Sequence, residues 1–210
     1  MSFTGMEKIL ERIKKNGTKL ENLDSIEVFG RAGNWHTKIF SEVVKSLEIW
    51  EIDSKWEMEL QKNFPKAKIR ILDSISTLQK VEISTKYDFV VIDNPQNLFG
   101  PKNFDDIPIY CEHFQILKEL NKILTDGYVI FNVNIKPYNY QKLLMWKKKR
   151  DEFYGVKNTD NLELNWTLNF YIKLFKTMNY IILDKFSIKR GTPNLDETLY
   201  YFIFKLKSVQ

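Results

Sequence analysis

The chain has 210 residues with 43% hydrophobic and 14% aromatic side chains, the composition of an ordered globule rather than a disordered chain. That length suits one α/β domain, residues 1–210, able to bury roughly 70% of its unfolded surface without metal or disulfide support. Cys111 is the only cysteine, which excludes an intrachain disulfide and makes a reducing cytoplasm the expected setting. The net charge of +5 admits a polyanionic partner, but 32 basic residues are spread among 27 acids rather than gathered in one block.

No apolar run approaches 18 residues, and MSFTGMEKILERIKK lacks the apolar block of a signal peptide, so no membrane span is expected. Within residues 1–24, Phe3, Met6, Ile9, Leu10 and Ile13 fall at helical spacing and predict an amphipathic helix over 3–16, closing on Asn16-Gly17. Strand-like apolar runs then recur at Ile26–Phe29, Leu47–Ile52, Lys68–Leu72, Phe89–Ile92 and Tyr128–Val133. Each is nearly apolar throughout, as parallel strands covered on both faces require. Helical segments are predicted between them at about 35–46, 54–63 and 109–124, with a weaker one near Ser74–Ile83. Asp126-Gly127 is expected to stop the helix before the fifth strand. Residues 138–154 and 162–178 read as further helices. Tyr180–Ile188 and Thr198–Leu206, joined by KRGTPNLDE without a helix, read as an antiparallel pair.

The segment SIEVFGRAGNWHTKIFSEVVKSLEIWEID is the most informative. It reads as strand, glycine turn, helix, strand, acid: a turn that lets backbone approach a nucleoside closely, then a carboxylate for ribose hydroxyls. The chain resembles class I S-adenosylmethionine-dependent methyltransferases over roughly residues 25–206. Glu27 and Gly33 match the ends of that family's acid-x-Gly-x-Gly-x-Gly turn; Phe29 and Arg31 replace its middle glycines, and Gly30 is displaced by one place. Glu51 falls where the family binds both ribose hydroxyls, with Ile52 beside it and Asp53 set to cap the next helix. Asp73 and Ser74, after the third strand, match positions that contact the adenine amino group. Asp93 ends the fourth strand, facing cofactor and substrate.

The resemblance implies a Rossmann-like α/β fold: a seven-stranded, mostly parallel sheet with an antiparallel C-terminal strand and helices on both faces. It implies S-adenosylmethionine as cofactor, held by Glu27, Phe29, Gly30, Gly33, Glu51, Ile52, Asp73, Ser74 and Asp93. Methyl transfer to a small-molecule or sugar-like acceptor is the expected activity. Asp93 is the expected proton acceptor, with His113 within reach of it as a second base. Acids at successive strand ends suit a cationic sulfonium better than a pyrophosphate.

Other readings remain open. The altered turn permits a non-catalytic binding or assembly module, and the Glu51-Ile52-Asp53 pattern also resembles aminopropyl transferases. Asp93-Asn94-Pro95-Gln96 lacks the second Pro and the aromatic of base-modifying enzymes, which disfavours a nucleic-acid methyltransferase. Lys147–Arg150 reads as a solvated helix face before a phosphate-binding one. Trp35 reads as a core-facing helix residue, His36 as a first-turn surface residue and Cys111 as a buried thiol. Within the substrate-side insertion, residues 134–166, Asn134, Tyr138 and Tyr140 are the acceptor-side candidates. No cluster has metal-ligand spacing.

Overall fold

The computed structural model describes residues 4–80, 83–93, 112–136, 144–190 and 198–209. Seven strands form one sheet in the order β3-β2-β1-β4-β5-β7-β6. They are β1 (Asp24–Val28), β2 (Ser46–Glu51), β3 (Lys68–Ile71), β4 (Tyr87–Ile92), β5 (Leu124–Asn134), β6 (Tyr180–Lys189) and β7 (Leu199–Ser208). The first five pair in parallel, while β7 runs antiparallel to both β5 and β6. β6 therefore points the same way as β5, and its carboxyl end lies at the same edge of the sheet as those of β1–β5. The chain leaves β1 toward β2 and β3, then returns to β4 on the other side of β1. That reversal opens a crevice at the carboxyl ends of β1 and β4.

Strand periodicity assigns alternate residues to two cores. On one face α1 (Gly5–Lys15), α2 (Thr37–Ser41) and α3 (Glu57–Asn63) cover Ile49, Phe89, Val91, Ile130 and Ile203. On the other, α4 (Ser74–Lys80), α5 (Glu112–Lys118), α6 (Leu144–Tyr154) and α7 (Leu164–Thr177) cover Val28, Val90, Ile92, Phe131 and Phe204. The neighbours Val90 and Val91, or Ile130 and Phe131, thus bury in opposite directions, as period-2 geometry demands. α1 begins at a reciprocal cap: the Glu7 backbone N–H donates to Thr4 Oγ1 at 3.2 Å, and the Thr4 N–H donates to Glu7 Oε2 at 2.6 Å. Met6, Ile9, Leu10 and Ile13 form its buried stripe, as their spacing predicts.

Three sequence expectations change. The helix expected over 35–46 is only Thr37–Ser41, because residues 29–36 are spent on an extended turn. Asp126-Gly127 does not stop a helix but lies inside β5, opposite a register shift at Asp88. Gly127 has φ +151°, and a Cβ there would sit 2.1 Å from the Asp88 carbonyl oxygen, so close strand approach requires the glycine. The run Lys147–Arg150 is not one solvated face either. Arg150 is fully buried, donating from Nη2 to the Asn134 carbonyl at 2.7 Å, while Lys147 pairs with Asp160.

Gly127→Ala should therefore destabilise the protein by roughly 2 kcal/mol or more, through overlap with backbone that cannot move aside. Gly155→Ala, at φ +68° but in open space, should cost only about 1 kcal/mol. Urea unfolding of the two variants measures the difference.

Candidate functional site

A cavity of about 340 Å³ opens at the carboxyl ends of β1 and β4, within the size range of small-molecule sites, roughly 300–1,000 Å³. Its wall is the turn after β1, together with Trp56; Glu27, Asp93 and Arg190 also line it. The turn passes through the left-handed region at two residues that are not glycine. Phe29 has φ +74°, Arg31 φ +45° and Gly33 φ +63°. The N–H groups of Phe29 and Gly30 both donate to the Trp50 carbonyl at 3.0 Å, and the Gly33 N–H returns to the Gly30 carbonyl at 2.8 Å. Holding two L-residues in the left-handed region costs roughly 1–2 kcal/mol each. Gly30 and Gly33 stay glycine for space: added Cβ atoms would lie 2.2 Å from Ile49 Cγ2 and 2.1 Å from the Phe64 ring. The Phe29 ring packs against the core of the α4–α7 face.

Glu51 ends β2 beside this turn and is buried. Its Oε2 accepts the Arg31 backbone N–H at 2.6 Å, and its Oε1 accepts the Asp53 N–H at 2.8 Å. Each oxygen keeps further acceptor capacity in a fixed direction. Asp53 caps the following 3₁₀ turn through the Lys55 N–H, as expected. Next to Glu51, Ile52 is 64% exposed. Asp73 is used locally: Oδ1 accepts the N–H groups of Ile75 and Ser76, and Oδ2 accepts the Ser76 hydroxyl at 2.8 Å. Ser74 is buried in the first turn of α4.

The charged centre is a network that the sequence reading did not assemble. Asp93 is fully buried and takes a fork from Arg190, with Nε 3.2 Å from both carboxylate oxygens and Nη2 2.9 Å from Oδ2. The Tyr201 hydroxyl donates to Asp93 Oδ2 at 2.7 Å. His36 lies between two carboxylates, with Nδ1 2.9 Å from Asp93 Oδ2 and Nε2 3.2 Å from Glu27 Oε1. Burial alone would lower the His36 pKa, but Asp93 and then Glu27 outweigh it and raise it to about 9. Burial would likewise raise Asp93, yet Arg190 and His36 hold it well below the usual carboxylate range. Tyr201 is pushed well above an ordinary phenol by burial and by Asp93. At neutral pH His36 is thus an imidazolium, and Asp93 is ionised beside it and Arg190.

These contacts revise several residues. His36 is not a surface residue but a buried bridge. Trp35 is not core-facing: it is 47% exposed, lines the cavity, and its ring lies 4.7 Å from the Arg190 guanidinium carbon. His113 is not brought to Asp93. It sits on the α4–α7 face among Phe114, Phe131 and Phe153, with Nε2 3.0 Å from the Tyr171 hydroxyl. Burial holds its pKa well below the normal value. Asn134 Oδ1 accepts from the Lys136 N–H and the Thr198 hydroxyl, joining β5 to β7. Asn94, Pro95, Gln96, Cys111, Tyr138 and Tyr140 lie outside the described residues. Among the described residues, no three His, Cys, Asp or Glu side chains are grouped to hold a metal, and no helix is long and apolar enough to cross a membrane.

No protein-family profile matches the sequence, and no curated protein matches it. Solved structures do match in fold. One is an S-adenosylmethionine-dependent methyltransferase from Clostridium acetobutylicum, at TM-score 0.57 and 13% identity over 97% of this chain and 91% of that one. A second is the magnesium protoporphyrin IX methyltransferase of Synechocystis with bound S-adenosylhomocysteine, at TM-score 0.56 and 13% identity over 97% and 82%. A third is the N-methyltransferase NodS of Bradyrhizobium japonicum with the same ligand, at TM-score 0.52 and 11% identity over 96% and 88%. The chain has the class I methyltransferase fold.

The raised His36 pKa has a definite sign. The stability it contributes is fully present below about pH 6.5 and is lost as pH rises through about 9. A shift of that size corresponds to about 3 kcal/mol. Denaturant unfolding of wild type and His36→Gln should therefore converge between pH 6.5 and 9.5; a constant difference would contradict a charged His36.

Proposed function

We propose that this chain is an S-adenosylmethionine-dependent methyltransferase with a small-molecule acceptor. The observation that carries the reading is Glu51: a buried carboxylate at the end of β2, anchored by one backbone N–H on each oxygen beside a left-handed turn. A ribose diol needs two acceptors held in this way. Three further features fit a cationic nucleoside cofactor. Glu27 Oε2 is buried without a hydrogen-bond partner among the described residues, in a residue that lines the cavity. Ile52 offers apolar surface next to Glu51. Gly30 and Gly33 place turn backbone on the cavity wall.

The cofactor would supply an electrophilic methyl group on a sulfonium. The protein's own contribution is positioning. Glu51 and the turn would hold the nucleoside, and Glu27 would face the cationic end. Asp73 and Ser74 belong to the adenine side in this reading, Asp73 fixing the start of α4. Asp93 is a positioning residue, because its carboxylate is already committed to Arg190, His36 and Tyr201. Most of the rate would come from fixing the acceptor against the methyl group, the kind of orientation that contributes about 7–11 kcal/mol in favourable cases. His113 carries no role in it.

Calorimetric titration with S-adenosylhomocysteine tests the proposal. Wild type should bind, and Glu51→Ala should bind roughly 10- to 100-fold more weakly, the loss of one charged acceptor, with circular dichroism confirming the fold. Absence of wild-type binding at millimolar ligand would favour a non-catalytic scaffold.

A further inference from the structure

We infer that the acceptor is a small carboxylic acid, methylated on its carboxylate oxygen and recognised by Arg190 and Trp35. This deepens the methyltransferase reading and rests on it.

Two observations carry the inference. The first concerns Arg190. Its side chain is 4% exposed, and its Nε and Nη2 are bound to Asp93. Nη1 is buried with no hydrogen-bond partner among the described residues, and the residue lines the cavity. An unmet guanidinium donor in a buried site is costly, and its best partner is a carboxylate. The cover over this guanidinium is the Trp35 indole, a half-exposed rim side chain rather than core. Recognition of the acceptor in this site requires the indole to turn aside and offer its face to the acceptor's apolar body.

The second observation concerns proton acceptors. A hydroxyl or ammonium acceptor must lose a proton to become nucleophilic. Asp93 receives two cations and the Tyr201 hydroxyl. His36 is charged at neutral pH and has no lone pair to offer. Glu27 Oε1 lies against that imidazolium, and its Oε2 is the oxygen assigned above to the cofactor's cationic end. A carboxylate acceptor needs no base. One of its oxygens forms the new C–O bond while the methyl–sulfur bond breaks, and the bonding pair stays on sulfur. One negative and one positive charge cancel, leaving a neutral methyl ester and a neutral thioether, and no proton moves.

The test is calorimetric titration of the protein loaded with S-adenosylhomocysteine, using acetate, benzoate and, as the uncharged match, benzamide. Both carboxylates should bind, and benzamide should bind at least about tenfold more weakly than benzoate, the difference one charge-assisted hydrogen bond makes. Trp35→Ala should weaken benzoate more than acetate. Arg190→Lys should weaken both. Because Arg190 alone cannot be removed without stranding Asp93, a double variant, Asp93→Asn with Arg190→Gln, removes both charges together and should lose carboxylate binding.

A second arm compares S-adenosylhomocysteine with 5′-methylthioadenosine, which lacks the amino-acid tail. If the double variant loses only the preference for the former, Arg190 serves the cofactor's own carboxylate and the inference is overturned. Equal binding of benzoate and benzamide also overturns it, as does failure of acetate and benzoate to bind. If S-adenosylhomocysteine itself does not bind, the methyltransferase reading falls instead. Acetate titration of the unloaded protein then decides the carboxylate site alone: Arg190-dependent binding keeps that site, and no binding removes it.

Discussion

Asp93 is the point on which the site depends. Its carboxylate, at the end of β4, receives Arg190 from beyond β6, Tyr201 from β7 and His36 from the start of α2, and His36 continues to Glu27 on β1. One buried anion therefore fixes where four otherwise separate parts of the chain meet around the cavity. Such a network is a poor source of stability, because desolvating its charges offsets most of their attraction. An apolar cluster of the same volume would hold the fold as well. What it does supply is geometry: every group in it has one arrangement that satisfies its neighbours, and removal of any one leaves a charge stranded. Among the described residues, two atoms within it have no hydrogen-bond partner, Arg190 Nη1 and Glu27 Oε2, both in residues that line the cavity. A purely structural network of this cost would be expected to close on itself.

The turn after β1 shows backbone demand overriding residue preference. Phe29 and Arg31 stand where glycines would be expected and still adopt positive φ. The cause lies in hydrogen bonding: two successive N–H groups must reach the Trp50 carbonyl, the Gly33 N–H must fold back to Gly30, and the Arg31 N–H must meet Glu51. These bonds hold only if the chain passes through the left-handed region. Strain of this kind persists where the surroundings over-determine it, and it collects at ligand sites. Phe29 and Arg31 therefore border the cavity from left-handed positions that these bonds impose.

The strands were readable because their information is local. Val90 and Val91, or Ile130 and Phe131, needed only an uninterrupted apolar run to be recognised as sheet interior covered on both sides. The place of Glu51, at the end of such a run beside the glycine turn, was readable for a related reason: that position is set by local sequence. His36, Arg190 and Tyr201 were not readable, since each acquires its role from a contact across more than fifty residues of sequence. His36 follows Trp35 in what looks like the first turn of an exposed helix, and only the late start of α2 at Thr37 turns it inward. For Arg190 a signal existed. If the last strand alone is antiparallel, β6 must end at the cofactor edge, and a buried Asp93 there requires a cation; Arg190 is the first residue beyond that strand. Lys147–Arg150 misled for the opposite reason: four adjacent charges suggest one surface, yet helical geometry points neighbours apart, and Arg150 turns inward to the Asn134 carbonyl.

The charge balance of the network bears on the chemistry proposed for it. In this network two acids, Glu27 and Asp93, face two bases, His36 and Arg190. A site of that kind, removed from water, disfavours separated ions and favours their neutralisation. A sulfonium and a carboxylate brought together there are both poorly solvated, whereas the ester and thioether they form are not penalised. Alkylation of a neutral amine only passes the positive charge from sulfur to nitrogen, cancels none, and would gain nothing from the same surroundings. On the carboxylate proposal, the ion pairs around Asp93 hold Arg190 in place for the acceptor without taking part in proton transfer.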